Sequence, residues 1–349
     1  MDGFDQGSPA PGLAGGQVPA YVADGGACYA GDSLDLLGKL PDGCVDLLMS
    51  SPPFALQRKK EYGNESQADY VAWLTRFVAA SLPKLRSTGS IVLDIGGAYE
   101  AGVPSRSLYP FRVLIHLCDT LGLHLAQDFY WSNRSKLPSP IEWVNKRKLR
   151  AKDTVNTVFW LSRTPWPKAD TTRVLVPYSD SMRDLIARGA TRVVRPSGHV
   201  LCESFARDNG GALPSNLLDF PNTESNGRYH DRCRDHGGKA HPARFPKALP
   251  DFFIRMLTEP GDVVLDMFAG SNTTGEAAQA LGRRWISFEL RRDYIAASAF
   301  RFLDKGVPPS DVSKVHAAIL EGWPVDLRSY AVPVPPPEPT LLDLMGDAA

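Results

Sequence analysis

Residues 266–275 read D-M-F-A-G-S-N-T-T-G, here called the glycine loop, and they join an apolar strand predicted at Val263–Met267 to a helix predicted from about Thr274 to Leu281. Gly270 allows the backbone to pass close to a ligand, and the first turn of a helix offers unpaired N–H groups. The loop lacks the Gly-Lys-Ser/Thr of a P-loop and the G-x-G-x-x-G of a dinucleotide fold. The pattern predicts an α/β protein with a ligand at this turn, with a purely structural turn as the alternative.

The next predicted strand, Trp285–Glu289, ends in a carboxylate. At that position in an α/β fold, an acidic side chain accepts hydrogen bonds from the two hydroxyls of a ribose. The glycine loop and Glu289 together indicate a ligand that contains adenosine and has no pyrophosphate to be bound.

Another strand, predicted at Val45–Met49, runs into S-P-P-F at residues 51–54, here called the proline corner. Two consecutive prolines cannot continue a β-ladder, because neither has an N–H to donate and both fix φ. The corner is therefore stiff, and it carries a hydroxyl group and an aromatic ring. It predicts either a preorganised polar site or an ordinary turn at the end of a strand.

Apolar segments of alternating type extend this pattern along the chain. Further strands are predicted at Ser90–Ile95, Phe129–Trp131 and Val155–Leu161, and further helices at Tyr70–Leu85, Phe111–Leu121, Phe252–Leu257 and Tyr294–Leu303. Strands that alternate with helices are typical of a parallel sheet with helices on its faces. Residues 165–240 show only weak periodicity, which predicts long loops or a small inserted domain.

The chain has no net charge, with 39 basic and 39 acidic residues, but the charges are unevenly distributed. Residues 134–247 contain 21 Lys and Arg against 11 Asp and Glu, a net charge of +10, so the rest of the chain carries −10. Five basic residues fall within positions 146–152. Such a cluster is typical of a solvated surface patch or of a cleft that faces DNA.

The five cysteines are odd in number and form no C-x-x-C pair, which argues against a disulfide framework and favours the reducing cytoplasm. No apolar stretch approaches the length of a membrane span, and the N-terminus lacks the pattern of a signal peptide. Residues 230–241 contain H-x2-C-x2-H-x4-H, a spacing unusual for zinc ligands. We therefore expect no metal site.

Four segments, taken in order, resemble the motifs of amino-group DNA methyltransferases. The proline corner resembles their catalytic motif, and the glycine loop resembles the loop that binds S-adenosylmethionine (SAM). L-P-S-P-I-E-W-V-N-K-R-K at 137–148 and H-P-A-R-F-P at 241–246 continue the similarity, which covers roughly residues 24–304. A catalytic motif that precedes the cofactor loop resembles the circularly permuted β group of this family, and in particular its N4-cytosine type, the PvuII-like modification enzymes.

The resemblance implies an α/β fold, a Rossmann-like SAM-dependent methyltransferase sheet with permuted motif order. The expected organisation is a flexible arm at 1–20, a catalytic half at 21–164, a target-recognition region at 165–240, a SAM-binding half at 241–304, and a C-terminal extension with a Pro-rich tail at 305–349. The implied cofactor-binding residues are Asp32, Ser33, His241, Asp266, Phe268, Gly270, Ser271, Thr273 and Glu289. Asp32 and Ser33 correspond to the pair that reads the adenine edge, and His241 to a residue near the methionine end.

The implied reaction gives the proline corner a chemical role. N4 of cytosine is a poor nucleophile because its lone pair is conjugated with the ring, and two acceptors for its N–H bonds would free that lone pair. Ser51 Oγ and the Pro52 carbonyl could be those acceptors if Pro53 keeps the corner rigid. Phe54 would stack on a cytosine that is flipped out of the duplex. Asp94 would either accept the Ser51 proton or only cap its strand, and the resemblance favours the proton relay.

Related reactions fit the residues less well. N6-adenine methyltransferases usually have Asp or Asn in place of Ser51 and Tyr in place of Phe54. Carbon-5 cytosine methylation needs a Pro-Cys nucleophile, and no cysteine in this chain follows a proline. A non-catalytic DNA-binding protein, the alternative from another class, would not need a SAM loop.

The expected partner is double-stranded DNA, within a restriction–modification system whose endonuclease need not contact this protein. Phosphate contacts are predicted for the basic run, namely Lys146, Arg147, Lys148, Arg150 and Lys152. If arginines of the target-recognition region such as Arg192 or Arg195 read base edges, their loss is expected to narrow the gap between cognate and non-cognate DNA.

Overall fold

A computed structural model describes residues 11–56, 65–189, 193–194, 200–201, 206–222 and 227–330. The predicted arm is therefore described only from residue 11, and the Pro-rich tail, Arg192 and Arg195 lie outside the described residues. Within the described ranges, no helix is long and apolar enough to cross a membrane.

Strands and helices alternate along most of the chain. The strands are β1 (Tyr21–Ala23), β2 (Gly26–Ala30), β3 (Val45–Ser50), β4 (Leu85–Ile95), β5 (His124–Ser132), β6 (Val155–Ser162), β7 (Val193–Val194), β8 (Val200–Leu201), β9 (Leu217–Asp219), β10 (Val263–Asp266), β11 (Arg284–Glu289) and β12 (Val325–Asp326). The helices are α1 (Ser33–Lys39), α2 (Tyr70–Ser81), α3 (Tyr109–Leu121), α4 (Asp180–Arg188), α5 (Arg228–Asp235), α6 (Ala248–Leu257), α7 (Thr273–Ala280), α8 (Arg292–Ser298) and α9 (Pro309–Glu321).

One large sheet organises the protein, with strands in the order β12-β1-β2-β11-β10-β3-β4-β6-β5-β9. The predicted parallel pairing is confirmed for the central strands β11, β10, β3 and β4. It is wrong for β6, which runs antiparallel between β4 and β5. The sequence did not predict β1 and β2, of which β2 is parallel to β11 and β1 is antiparallel to β2. The chain returns from β5 to β6 without a helix that crosses a sheet face, and such a direct return produces antiparallel neighbours.

The centre of the sheet is buried on both faces. Leu47 and Met49 of β3 join the hydrophobic core that also contains residues of α6, α7 and α8, whereas Val45 and Leu48 join the core formed with α1, α2 and α3. The connections that leave β10 and β3 therefore run to opposite faces of the sheet. Between two such strands a crevice opens at their carboxyl ends, which is where α/β proteins bind ligands.

Several element bounds differ from those predicted. α3 begins at Tyr109 rather than Phe111, because Pro110 fits the first turn of a helix, where its missing N–H costs no hydrogen bond. The helix predicted at Tyr294–Leu303 is two elements, α8 and a 3-10 turn at Ala299–Arg301. β5 extends over nine residues, six more than predicted. The prediction missed its first half because those residues are exposed and lack the apolar pattern on which the prediction was based.

The region predicted as an insert, 165–240, is partly integrated into the main body. β9 extends the main sheet beside β5, and α5 contributes Tyr229 and Cys233 to the core. By contrast α4, all of whose residues are described, buries none of them, and β7 and β8 form a separate two-stranded ribbon. Among the described residues of this region, those of α4, β7 and β8 therefore lie outside the main sheet.

Candidate active site

A cavity of about 500 Å³ opens at the carboxyl ends of the central strands. All four residues of the proline corner line it, and so do residues 267–271 of the glycine loop. Residues that follow β5 or begin β6, including Asn133 and Asn156, form a further part of the wall. The fold thus brings together two motifs that lie at opposite ends of the sequence.

Ser51 and Asp94 are hydrogen-bonded across β3 and β4. Ser51 Oγ donates to Asp94 Oδ2 at 3.0 Å, and Asn156 Nδ2 donates to Asp94 Oδ1 at 3.1 Å. Strand pairing sets this contact, since Ser50 lies opposite Leu93 and the next residue of each strand is Ser51 or Asp94. Burial raises the pKa of Asp94 to about 6, although both hydrogen bonds lower it. A carboxylate with such a pKa can serve as a general base near neutral pH.

The ring of Phe54 lies against the backbone of Gly96. A Cβ atom at Gly96 would lie 2.3 Å from Phe54 Cε2, so only glycine leaves room for the ring. The hydroxyl of Tyr109 donates to Gly96 O and is also hydrogen-bonded to the backbone of Ala55. This hydroxyl therefore ties the proline corner to the end of β4.

Asp266 does not line the cavity, unlike the other residues predicted to bind the cofactor. Its Oδ1 accepts from Ser50 Oγ at 2.5 Å and from Phe268 N at 3.0 Å, and its Oδ2 accepts from Thr274 Oγ1 at 2.7 Å. The residue is 2% exposed, and its carboxylate turns inward because two hydroxyls and an amide there need an acceptor. Asp266 holds the end of β3, the glycine loop and the first turn of α7 together.

Asn272 shapes the glycine loop, a role that the sequence did not reveal. Its φ of 55° lies in the left-handed region, which asparagine tolerates better than most residues. Asn272 Oδ1 accepts from Gly275 N at 3.1 Å and from Ser287 Oγ at 2.7 Å, and Nδ2 donates to Tyr21 OH at 2.8 Å. The side chain thereby caps α7 and anchors the loop to neighbouring strands.

Gly270 and Glu289 meet at the cavity wall. Gly270 has a φ of 51°, and its N–H donates to Glu289 Oε2 at 2.8 Å. Glu289 Oε1 accepts from Arg291 N at 2.9 Å, and burial raises the pKa of the carboxyl group. Each carboxylate oxygen can accept more than one hydrogen bond, so these two bonds orient the group and leave it able to accept others.

His241 packs against Gly270 at the same wall. A Cβ atom on Gly270 would lie 3.2 Å from the imidazole ring. His241 Nδ1 lies 2.5 Å from Ala243 O, so Nδ1 carries the proton and Nε2 is an acceptor. Burial lowers the pKa of His241 to about 4, and the ring is therefore neutral at physiological pH.

Asp32 and Ser33 lie where α1 begins, and both line the cavity. Asp32 caps the helix by accepting from Leu34 N at 2.8 Å. Ser33 Oγ donates to Met267 O at 2.6 Å, which joins the start of α1 to the glycine loop.

Phe268, Ser271 and Thr273 complete the predicted cofactor residues on the cavity wall. The ring of Phe268 packs against those of Trp73 and Phe77, with centroid distances of 5.5 and 5.0 Å. The hydroxyl oxygens of Ser271 and Thr273 are 3.1 Å apart. The wall here combines a flat aromatic face with two hydroxyl groups.

The first half of the basic run is exposed. Lys146 and Arg147 pair with Glu142 at 3.4 and 2.9 Å, and Lys148 follows them with a φ of 53°. All three cations reach solvent on the connection between β5 and β6.

The second half of the basic run has contacts within the fold. The guanidinium of Arg150 lies 4.9 Å above the ring of Tyr99 and donates to Pro104 O. Lys152 Nζ donates to Arg134 O at 2.9 Å. These two side chains hold the β5–β6 connection in place through contacts within the fold.

The histidines and the cysteine of residues 230–241 do not converge. His236 Nδ1 lies 2.9 Å from Ser313 Oγ, whereas His241 faces the cavity. In the part of the chain that the structure describes, no group of three or more His, Cys, Asp or Glu side chains is placed to hold a metal ion.

Seven polar residues on the cavity wall were missed by sequence reasoning. They are Glu65, Asn133, Lys136, Thr154, Asn156, Asn222 and Arg244. Asn133 and Asn156 lie at ends of predicted strands, and this was the only signal that could have found them. The positive charge of Lys136 lowers the pKa of Asp94.

Comparison with known proteins gives the same picture. The sequence model of the N6/N4 DNA methylases matches residues 45–300. The chain is 56% identical to the type II methyltransferase M.PvuII of Proteus hauseri over 317 residues, which covers 90% of this chain and 94% of that relative. It is 26% identical to the type II methyltransferase M.ScaI of Streptomyces caespitosus over 281 residues, which covers 79% of this chain and 81% of that relative.

A solved structure described as PvuII DNA methyltransferase (cytosine-N4-specific) superposes with a TM-score of 0.75 at 50% identity, and the match covers 91% of this chain and 99% of that one. The range matched by the family model begins with β3 and ends beyond α8, so it contains both motifs of the cavity. The chain belongs to the N6/N4 DNA methylase family.

Proposed function

We propose that this protein transfers a methyl group from SAM to the exocyclic N4 of a cytosine flipped out of duplex DNA. The observation that carries the proposal is the position of Ser51, which donates to the buried Asp94 in the cavity that the glycine loop also lines. The similarity of the chain to M.PvuII and to the structure described as cytosine-N4-specific supports cytosine as the target base.

The glycine loop and its surroundings suit SAM. Gly270 carries no side chain at a point where a Cβ atom would crowd the ring of His241, so the loop leaves room for a ligand close to its backbone. Glu289 would accept the ribose hydroxyls, and Phe268 offers a flat surface to the adenine. Neutral His241 places no positive charge on the wall that a cationic sulfonium would share.

The proline corner would act on the amino group of the base. SAM supplies a methyl group bonded to a positively charged sulfur, which makes that carbon electrophilic. Ser51 Oγ and the Pro52 carbonyl would each accept a hydrogen bond from one N–H group of N4 and so direct the N4 lone pair toward this carbon. As the new N–C bond forms, the bond between sulfur and the methyl group would break and S-adenosylhomocysteine would leave with the electron pair. N4 would release one proton to Ser51, and Ser51 would pass its own proton to Asp94.

Phe54 would hold the flipped base. Its ring is fixed against Gly96 and lines the cavity beside Ser51, so one face of a base could stack on it. A serine at position 51 and a phenylalanine at position 54 favour cytosine over adenine, whose methyltransferases usually carry Asp or Asn and Tyr there. N6-adenine methylation remains the second candidate, because the family includes both reactions.

The finer biological setting is part of the proposal. M.PvuII and M.ScaI are both type II methyltransferases, which supports a cognate endonuclease that cuts the unmethylated form of the same site. Residues 165–240 would read the bases of that site. A chromosomal substrate, and the free thiols of the cysteines in the described ranges, support a cytoplasmic location.

Expression in a host that lacks DNA methylation tests the proposal. Nucleoside mass spectrometry of the host DNA should show N4-methylcytosine, and sequencing that resolves this base should map it to one short site. The variant Ser51→Ala, expressed at the same level, should leave the DNA unmodified. N6-methyladenine instead would establish the second candidate, and no modified base at all would reject both.

A further inference from the structure

Asn133, the first residue after β5, is held by hydrogen bonds through nearly all of its polar atoms. Its backbone N–H donates to Thr154 O at 2.8 Å, and its carbonyl accepts from Lys136 N at 3.1 Å. Its side-chain Oδ1 accepts from Ser135 N at 3.2 Å and from Asn222 N at 3.3 Å. Because two backbone N–H groups meet the oxygen, the orientation of the side-chain amide is fixed by chemistry.

The amino group of Asn133 is the part of this residue left to bind something else. Within the described part of the chain, Nδ2 has no acceptor, and the side chain lines the cavity that contains Ser51 and Asp94. The other two asparagines on this wall each donate from Nδ2 within the protein, Asn156 to Asp94 Oδ1 at 3.1 Å and Asn222 to Arg244 O at 2.7 Å. Asn133 therefore presents two N–H donors in a preorganised position.

We propose that Asn133 Nδ2 donates to the O2 carbonyl of the flipped cytosine and thereby selects cytosine over adenine. The inference rests on the proposed function, in which Ser51 and Pro52 hold N4. With the amino group fixed there, both bases present a ring nitrogen acceptor beside it. At the next position of the same edge cytosine has an oxygen acceptor and adenine a C–H group, so a donor at that position distinguishes the two bases.

Asn133 and Ser51 line the same cavity from strands three positions apart in the sheet. Three strand spacings amount to about 14 Å across the sheet. The register also places Asn133 four residues further along the sheet than Ser51. Asp94 on β4 and Asn156 on β6 come between them in the strand order.

A substrate that lacks only O2 tests the assignment. In the duplex site mapped by sequencing, the target cytosine is replaced by a 2-aminopyridine C-nucleoside, which keeps the amino group and the adjacent ring nitrogen but has no carbonyl. Single-turnover methyl transfer is then measured on both duplexes. The wild-type protein should modify the analogue about 10- to 100-fold more slowly than cytosine, the loss expected when one buried hydrogen bond is removed.

The variant Asn133→Asp keeps Oδ1 as the acceptor for Ser135 and Asn222 but replaces the donor by an oxygen. It should modify cytosine about 10- to 100-fold more slowly than the wild type and should no longer favour cytosine over the analogue. The matched control Asn222→Asp changes a neighbouring asparagine on the same wall and should keep the wild-type preference for cytosine, whatever its absolute rate. SAM affinity, measured by calorimetry, should equal the wild-type value in Asn133→Asp.

Two results would overturn the assignment of Asn133. One is a wild-type preference for cytosine that persists in Asn133→Asp, and the other is a wild-type protein that modifies both duplexes equally. If the preference disappears in Lys136→Met instead, Lys136 is the donor and the assignment is wrong. A wild-type protein that forms no N4-methylcytosine on the unmodified duplex would reject the proposed function as well, so the two failures are distinguishable.

Discussion

Ser51 Oγ and Asp94 Oδ2 lie 3.0 Å apart, although 43 positions separate the two residues in the sequence. Ser51 follows Ser50 and Asp94 follows Leu93, and Ser50 and Leu93 are paired across the neighbouring parallel strands β3 and β4. The register of the sheet, and not a flexible loop, therefore sets the distance between the hydroxyl and its acceptor. Substitutions at either position should change the rate of the reaction without disturbing the glycine loop.

Replacing Ser51 with alanine should lower kcat by about 100-fold or more, because one preorganised acceptor of the amino group is lost. The affinity for SAM should remain at the wild-type value, since Ser51 is not among the residues assigned to the cofactor. Ser310→Ala, which removes an exposed hydroxyl in the first turn of α9, provides the control. Quench-flow rates and calorimetry check both statements, and a Ser51→Ala variant with normal turnover would contradict the assigned role.

The rate of methyl transfer should depend on the ionisation of Asp94. Burial raises the pKa of this carboxyl group to about 6, and only its ionised form can accept the Ser51 proton. The wild-type rate should therefore fall as the pH is lowered through that value. In Asp94→Asn the rate should be about 100-fold lower and the acid limb absent. A variant with the wild-type pH profile would reduce Asp94 to a structural residue.

The same substitution should stabilise the fold at neutral pH. The pKa of Asp94 is raised from an ordinary value of 3.8 to about 6, so the folded state disfavours the ionised carboxylate. Stability is therefore highest when the group is protonated and is lost as the pH rises through this window. Asp94→Asn cannot ionise, and its free energy of unfolding should exceed the wild-type value by about 1–3 kcal/mol at about pH 7.5 and match it near pH 4. Urea unfolding at both pH values is the measurement, and a difference of equal size at both would point to packing instead.

Gly270 and Gly261 form a matched pair for testing the glycine loop. Both have positive φ, 51° and 86°, but a Cβ atom on Gly270 would meet His241 at 3.2 Å, whereas one on Gly261 would have no neighbour within 4 Å. Alanine at either position should cost about 1–2 kcal/mol of stability from backbone strain. Only Gly270→Ala should also weaken SAM binding, because it fills the space beside the loop. Equal SAM affinity in the two variants would remove Gly270 from the cofactor site.

The exposed half of the basic run should contribute to DNA binding through charge alone. The double variant Lys146→Ala/Lys148→Ala should reduce the slope of log affinity against log salt by about two units, equally for cognate and unrelated duplexes. Lys305→Ala/Lys314→Ala removes the same charge from exposed positions near α9 and should leave the slope unchanged. Arg150→Ala should lower stability, because it loses its contacts with Tyr99 and Pro104. A folded Lys146→Ala/Lys148→Ala variant with the wild-type slope would show that this run does not touch DNA.

The parts of the site that sequence could predict are those in which one short segment carries the chemistry. The proline corner and the glycine loop are such segments, and they were found because proline fixes the local backbone and glycine permits conformations that other residues disfavour. Asp94 was found because it ends an apolar strand. In contrast, the proposed role of Asn133 depends on a hydrogen bond from the backbone N–H of Asn222, 89 positions away. No local sequence pattern predicts that contact.

Strand direction and side-chain direction were the main errors. Apolar periodicity identified the strand that became β6 but contains no information on whether a neighbour runs parallel or antiparallel, so β6 was placed wrongly. Asp266 belongs to a motif whose other members face the cavity, but the alternation of a strand turns its carboxylate toward Ser50 and Thr274. Motif membership predicts proximity to a ligand, and only the local geometry decides contact.

The carboxylate of Asp266 connects the proposed cofactor-binding loop to the proposed base-binding residues. It binds Ser50, the residue before the hydroxyl that would hold the target base, and Phe268 N in the loop that would hold the cofactor. A displacement of the loop would therefore reach Ser50, the residue next to the base-holding Ser51, through a single hydrogen bond. Thermodynamic linkage makes this coupling reciprocal. If bound cofactor raises the affinity for an extrahelical cytosine by some factor, bound cytosine raises the affinity for the cofactor by the same factor. In the absence of SAM, the enzyme would therefore bind the extrahelical base more weakly, and the base would mostly remain stacked in the duplex.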